Sequence, residues 1–100
     1  MNTTIIEADG KYTVTLVGEL DTAYALEFEE TMRPLHDITE KEIIIECTEL
    51  EYIASSGLRI LLGLLKNAKA RGNKVVLKNL NDEIKDVFKI TGFIDMFDIE

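Results

Sequence analysis

The chain divides by the period at which apolar residues recur. Thr3 to Ala8 and Lys11 to Val17 are short runs with apolar residues, separated by Asp9-Gly10, a dipeptide suited to the positive φ values of a hairpin turn. Tyr12, Val14 and Leu16 alternate with Thr13 and Thr15, which predicts a strand with one face on the core and the other partly open. Gly18 is expected to end it. After Asp21-Thr22, two capping side chains, the period lengthens: Ala25, Phe28, Met32 and Leu35 follow at helical spacing with Leu26 alongside. Pro34 lacks an N–H and restricts Arg33, so the helix is expected to end or kink there. Ile43-Ile44-Ile45 marks a strand from about Glu42 to Cys47, and three β-branched residues in a row suggest cover on both faces. Thr48 to Tyr52 lead to a second helix, whose stripe is Leu58, Leu61, Leu62, Leu65 and Ala68 and whose stop is Gly72-Asn73. Ile60 and Leu64 fall off that stripe, so this helix is either buried on more than one side or shows an apolar strip for another protein to cover.

Lys74 to Lys78 reads as a strand reached by a βαβ crossover, parallel to the one before it. Asn81-Asp82 opens a third helix with Ile84, Val87 and Phe88 inward, and Thr91-Gly92 closes it. Phe93, Ile94, Met96, Phe97 and Ile99 are too apolar for a free tail and predict a turn and a short edge strand. The order is β-β-α-β-α-β-α-β, an α/β domain with a mixed sheet of four to five strands.

Composition narrows the class. A chain of 100 residues fits one domain and buries about 60–70% of its unfolded surface, enough for one core without staples. The single Cys47 rules out a disulfide framework and reads as a small buried apolar residue. There is no basic and apolar leader and no apolar run near the roughly 18 residues a span needs, so a cytoplasmic protein without membrane contact is expected. A net charge of −8 repels phosphate backbones and argues against nucleic acid as partner. The charge serves solubility first, and it would also steer the chain toward a basic protein surface.

Candidate chemistry gathers at Ser55-Ser56, where strand gives way to helix. One serine is expected to cap the helix, leaving the other free, and a helix start favours negative charge, so a phosphoryl group here would be tolerated. A nucleophile elbow would need glycine two places before the serine, where Ser55 has Ile53, and only His36 could act as base. Adjacent Glu29 and Glu30 diverge on a helix and read as a solvated face, and lone His36 reads as a surface or capping residue. No phosphate-cradling glycine loop, metal-ligand set or cofactor motif is present, so no catalytic residues, metal or cofactor are assigned.

Three segments together resemble the STAS domain of the anti-sigma factor antagonist type over nearly the full length, as one domain spanning 1–100. Gly18-Glu19-Leu20-Asp21 resembles the family's Gly-x-Leu-Asp segment, Ile53-Ala54-Ser55-Ser56-Gly57-Leu58 its Asp-Ser-Ser-Gly-Leu phosphorylation loop, and Thr91-Gly92-Phe93 its C-terminal signature. The resemblance implies a partner switch rather than an enzyme. The unmodified protein binds an anti-sigma factor that is also a serine kinase, and phosphorylation of the loop serine breaks the complex, with a serine phosphatase as the opposing partner. It points to Ser56 as the acceptor, with Ser55 the alternative, and to Asp21, Ser55, Ser56, Gly57, Leu58, Arg59 and Ile60 as the contact set. Asp21 has an equally good account as a helix cap. Ala54 stands where the family usually has aspartate, which bears on phosphorylation more than on binding. Two other readings stay open: a STAS subunit of a transport or signalling complex that binds its partner without phosphorylation, and a small-molecule binder.

Overall fold

A computed structural model describes residues 1–100. Strands β1 (Asn2–Ala8) and β2 (Lys11–Leu20) pair antiparallel, and Asp9 and Gly10, at φ of 54° and 77°, make the two-residue turn between them. Helix α1 (Thr22–Met32) is capped by Asp21, whose Oδ1 accepts from the Tyr24 N–H at 2.9 Å. It gives way to a 3-10 turn over Arg33–Asp37 with Pro34 near its start, where a missing N–H leaves no bond unmade. Ala25, Phe28, Met32 and Leu35 are buried as their spacing predicts, but Leu26 is 69% exposed. With 3.6 residues per turn, Leu26 lies about 100° round the helix from Ala25, away from Phe28 and Met32.

Strand β3 (Glu42–Ile53) runs six residues beyond the expected end at Cys47, and β2 continues past Gly18 to Leu20. The two pair in parallel, and β3 carries an extra residue at each of two irregularities, between Thr15 and Val17 and between Gly18 and Glu19. Each bulge moves the inward position from every second residue to every third, so Cys47, Leu50 and Ile53 all reach the core. Gly18, at φ 100°, takes the left-handed conformation beside the second irregularity instead of ending the strand.

Helix α2 (Ser55–Ala70), strand β4 (Lys74–Lys78), helix α3 (Asp82–Ile90), a 3-10 turn over Phe93–Met96 and the short strand β5 (Asp98–Ile99) complete the chain. The five strands lie in sequence order, β1 antiparallel and the others parallel. Each βαβ crossover advances one strand in the same direction, so right-handed connections put all three helices on one side. There Val14, Leu16, Ile43, Ile45, Val75 and Leu77 join Phe28, Leu61, Leu65, Ile84 and Phe88 in one cluster of 23 buried residues.

The opposite face has no helix over it. Ile44 lies there half-buried, in register with Thr13 and Val76; Val76 is buried but, like Ile44, outside the main cluster, and Ile6 at the edge is 59% exposed. The isoleucine triplet therefore does not mark a strand covered on both sides. β-Branched residues suit a pleated, half-open surface as well as a closed one. Buried Asn73 ties the far end of α2 to the loop before β3: its Nδ2 donates to the carbonyls of Ala68 and Ile38, and its Oδ1 accepts from the Lys41 N–H at 2.9 Å.

Candidate functional site at the paired helix starts

Parallel pairing brings the exits of β2 and β3 together. Leu20 lies opposite Ile53, and the Ala54 N–H donates to the Leu20 carbonyl at 2.8 Å, so α1 and α2 begin side by side. Gly57 sets how closely they approach. A Cβ at that position would stand 2.6 Å from Leu20 Cγ and 3.0 Å from Leu20 O, so only glycine lets the first turn of α2 settle on the end of β2.

Neither serine caps α2. Because β3 runs on to Ile53, the cap position falls to Ala54, which is extended at φ −80° and ψ 160° and offers no side-chain acceptor. Ser55 and Ser56 are the first two helical residues, and both hydroxyls are released from the capping role. Ser56 Oγ donates across the junction to Thr22 Oγ1 at 3.2 Å, and Ser55 is exposed. Aspartate at position 54, the residue the resemblance leads one to expect, would occupy the cap itself.

The remaining expected contact residues divide by burial. Arg59 is exposed, one turn beyond the serines, and takes part in none of the four ion pairs. Ile60 is half-buried, Leu58 is only 9% exposed, and Gly57 is sealed against Leu20. Asp21 sits at the head of α1 with its carboxylate engaged by the Tyr24 N–H. The structure thus brings all seven residues to one end of the sheet, with Asp21 and Gly57 shaping the junction and Ser55, Ser56, Arg59 and Ile60 at its surface.

Two grooves flank the outer side of α2. The first, of about 260 Å³, lies toward α1 and includes Glu29, His36, Ile60, Leu64 and Asn67. His36 accepts there through its carbonyl from Asn67 Nδ2 at 3.2 Å. The second, of about 400 Å³, includes Ser55, Leu58, Leu62, Lys66 and Phe93. Arg59 and Gly63 border both grooves. Lys66 Nζ stands 4.5 Å from the centroid of the Phe93 ring, a cation–π contact that holds the C-terminal Thr91-Gly92-Phe93 segment against the later turns of α2, at the far end of the groove that Ser55 borders. Gly63, Lys66 and Phe93 join the expected contact set only through tertiary packing, since nothing in a linear sequence places position 93 against position 66. Leu64 is buried, so much of the apolar excess on α2 serves packing on two sides, and Ile60 is what it leaves toward the first groove.

Perturbed ionisations lie elsewhere. Burial, and to a lesser degree the charge of Glu46, pushes the Cys47 thiol up to about 12, so it is an apolar core group. Glu46 is held below the usual carboxylate range by hydrogen bonds from Thr48 first and Asn79 second. No helix is long and apolar enough to cross a membrane.

Comparison with known proteins bears on this arrangement. The chain is 29% identical over 99 residues to BtrV of Bordetella bronchiseptica, assigned as an anti-sigma factor antagonist, covering 99% of this chain and 85% of that one. It is also 29% identical over 91 residues to the anti-sigma-B factor antagonist of Staphylococcus aureus, covering 91% and 84%. Among solved structures, the fold matches the anti-sigma factor antagonist SpoIIAA in its unphosphorylated form with a TM-score of 0.76 at 18% identity, covering 99% of this chain and 87% of that one. The phosphorylated Bacillus SpoIIAA gives 0.74 at 20%, covering 99% and 91%. The family model of the STAS domain matches residues 2–100, and the chain belongs to that family.

Proposed function

We propose that this protein is an anti-sigma factor antagonist that works by partner switching in the cytoplasm. In its unmodified form it binds an anti-sigma factor that is also a serine kinase, through Ser55, Ser56, Arg59, Ile60 and the exposed edge of Leu58, with Asp21 and Gly57 holding that surface in place. The kinase transfers the γ-phosphoryl of ATP to Ser56 Oγ: the O–P bond forms as the bridge to ADP breaks, and the hydroxyl proton leaves to a base on the kinase. The phosphoserine carries about −1.5 to −2 charge. A helix start accommodates that charge, whereas a close-packed partner cannot cover it without a compensating cation, so the complex fails while the fold persists.

The observation that carries this reading is the position of the hydroxyls. Both serines lie in the first turn of α2, uncommitted to capping; Ser55 is exposed and borders the larger groove, and Ser56 is half-buried beside it, its Oγ with only the Thr22 hydroxyl as partner. The names of the sequence relatives and the two forms of SpoIIAA support it. A tagged chain expressed in its source cell should co-purify with a histidine-kinase-like ATPase; recovery of none counts against the reading. Incubation of that complex with Mg-ATP should place phosphate on Ser56 by mass spectrometry, and phosphate that persists in Ser56→Ala assigns it elsewhere, with Ser55 the first alternative.

Ala54 favours a second reading, a STAS subunit that binds its partner without phosphorylation, because the carboxylate the family places beside the acceptor is missing. The same experiment separates the two: a stable complex that stays unmodified in Mg-ATP, with no ATPase of the kinase type, supports the subunit.

A further inference from the structure

Helix α2 contains two glycines with opposite relations to the fold. Gly57 is forced by Leu20. Gly63, exposed in the middle of the helix, is forced by no packing: beyond the helix's own adjoining backbone, a Cβ there meets no atom within 4 Å. Glycine is the poorest helix former after proline, and neither α1 nor α3 contains one. A helix interior that keeps glycine beside empty space leaves its backbone open to approach from outside. The two grooves lie on either side of this point and meet at Arg59 and Gly63, so a rod laid across α2 would touch main chain at Gly63 and reach into a groove on each side.

Charge selects the rod. Although the chain has 19 acidic and 11 basic residues, α2 carries no acidic residue, Arg59 and Lys66 border its grooves while Lys69 Nζ is held on the Met96 carbonyl, and Glu29 is the one carboxylate bordering either groove. The outer face of α2 is therefore a basic strip on an acidic protein, complementary to carboxylates.

We propose that Gly63 is the crossing point for a helix of the protein partner, one with a small residue at the contact and carboxylates placed to meet Arg59 and Lys66. Helix axes otherwise separate by about 8–10 Å according to the side chains between them, and glycine brings them to the short end of that range. The crossing supplies docking chemistry for the partner proposed above and rests on that reading only for the partner's identity.

The test uses the protein that the tagged full-length chain retains from its source cell, purified and titrated against variants by calorimetry. Gly63→Ala should raise the melting temperature by roughly 4–8 °C, the shift expected for a helix-propensity gain in a domain of this size, yet bind about tenfold more weakly. Gly63→Gln should melt no lower than wild type and bind at least ~100-fold more weakly, while Ala70→Gln, on the last turn of α2 and outside both grooves, binds as wild type does. Arg59→Glu with Lys66→Glu should weaken binding and reduce its salt dependence. Binding by Gly63→Gln within twofold of wild type overturns the crossing, and so does a fall in the melting temperature of Gly63→Ala, which would mean the chain itself needs the glycine. If the retained protein is an anti-sigma factor that Gly63→Gln still holds, the crossing fails and the proposed function stands. If it is of another class and is lost with Gly63→Gln, the crossing stands and the proposed function fails. If wild type retains nothing, both fail.

Discussion

Position 54 is where a single side chain bears most directly on the stability of the serine-bearing helix. It is the N-cap of α2, and alanine there offers no oxygen to the free N–H groups of the first turn. Asp21 and Asn81, the caps of α1 and α3, each accept such a bond at 2.9 Å. Ala54→Asp should therefore stabilise the protein by about 1 kcal/mol, since a good cap residue exceeds alanine by 0.5–2 kcal/mol. In a domain of this size that corresponds to roughly 4–8 °C in melting temperature. An unchanged or lower midpoint would mean that a carboxylate at 54 does not adopt cap geometry. Gly57→Ala should move the other way. Its methyl would press on Leu20, which is fully buried, and overpacking of that kind costs about 1–3 kcal/mol. A midpoint for Gly57→Ala equal to wild type would show that Leu20 can yield, and that close approach is not why glycine follows the two serines.

Among the elements, legibility in the sequence tracked whether one physical rule acted alone. β4 was read with its observed limits because Val75-Val76-Leu77 is bounded by polar residues and a glycine turn, and the start of α3 because Asn81 is a cap in fact as well as in type. β3 departs from its expected end at Cys47 because two rules meet there. Its inward residues stand at 43, 45 and 47 and then at 50 and 53, and the change of spacing looks like the end of a strand unless the bulges against β2 are known. The same departure moves the cap of α2 from a serine to Ala54. The serine end is legible as a place, since strand, Ser-Ser-Gly and amphipathic helix follow one another, whereas the meeting of Lys66 with Phe93 along the groove that Ser55 borders comes from tertiary packing alone. Cys47 lies at the start of the first bulge, where burial still follows from simple alternation. Its thiol sits inside the sheet with a pKa pushed up from 9.0 to about 12 by burial, so at pH 8 it is protonated and enclosed. Iodoacetamide at pH 8 should leave the native chain unmodified and alkylate it only at the rate of unfolding. Because the folded-state value is raised, the associated stability is intact below pH 9 and is lost as pH climbs toward 12. Rapid alkylation of folded protein would place the thiol at a surface and contradict its burial in β3.

For the molecule as a whole, charge acts against the fold more than its ion pairs act for it. The four salt bridges, Lys11–Glu42 at 3.3 Å and Lys74–Glu42, Lys78–Glu100 and Arg71–Asp37 at 3.8–3.9 Å, all involve a solvent-exposed side chain. Such pairs contribute about 0–1 kcal/mol each and weaken as salt is added. Against them stands a net charge of −8 within a body of 31 × 27 × 20 Å. At about 0.01 M salt the Debye length is roughly 30 Å, so every charge feels the excess of carboxylates. At about 0.15 M it is roughly 8 Å, and only near neighbours interact. Folding concentrates the excess charge, so removing the long-range repulsion should stabilise the native state by more than screening the short pairs destabilises it. Raising NaCl from 10 to 150 mM at pH 7.5 should thus increase the melting temperature by a few degrees, about 0.5–1 kcal/mol on the scale for a domain of this size. The increase should shrink toward zero near pH 4.6, where the net charge vanishes. A melting temperature that falls with salt at pH 7.5 would show the opposite balance, with the Glu42 pairs on the open sheet face outweighing the acidic excess. The same screening would weaken the attraction of the basic strip on α2 for the proposed acidic helix, so conditions that most favour the isolated fold are those in which the proposed complex would be least tight.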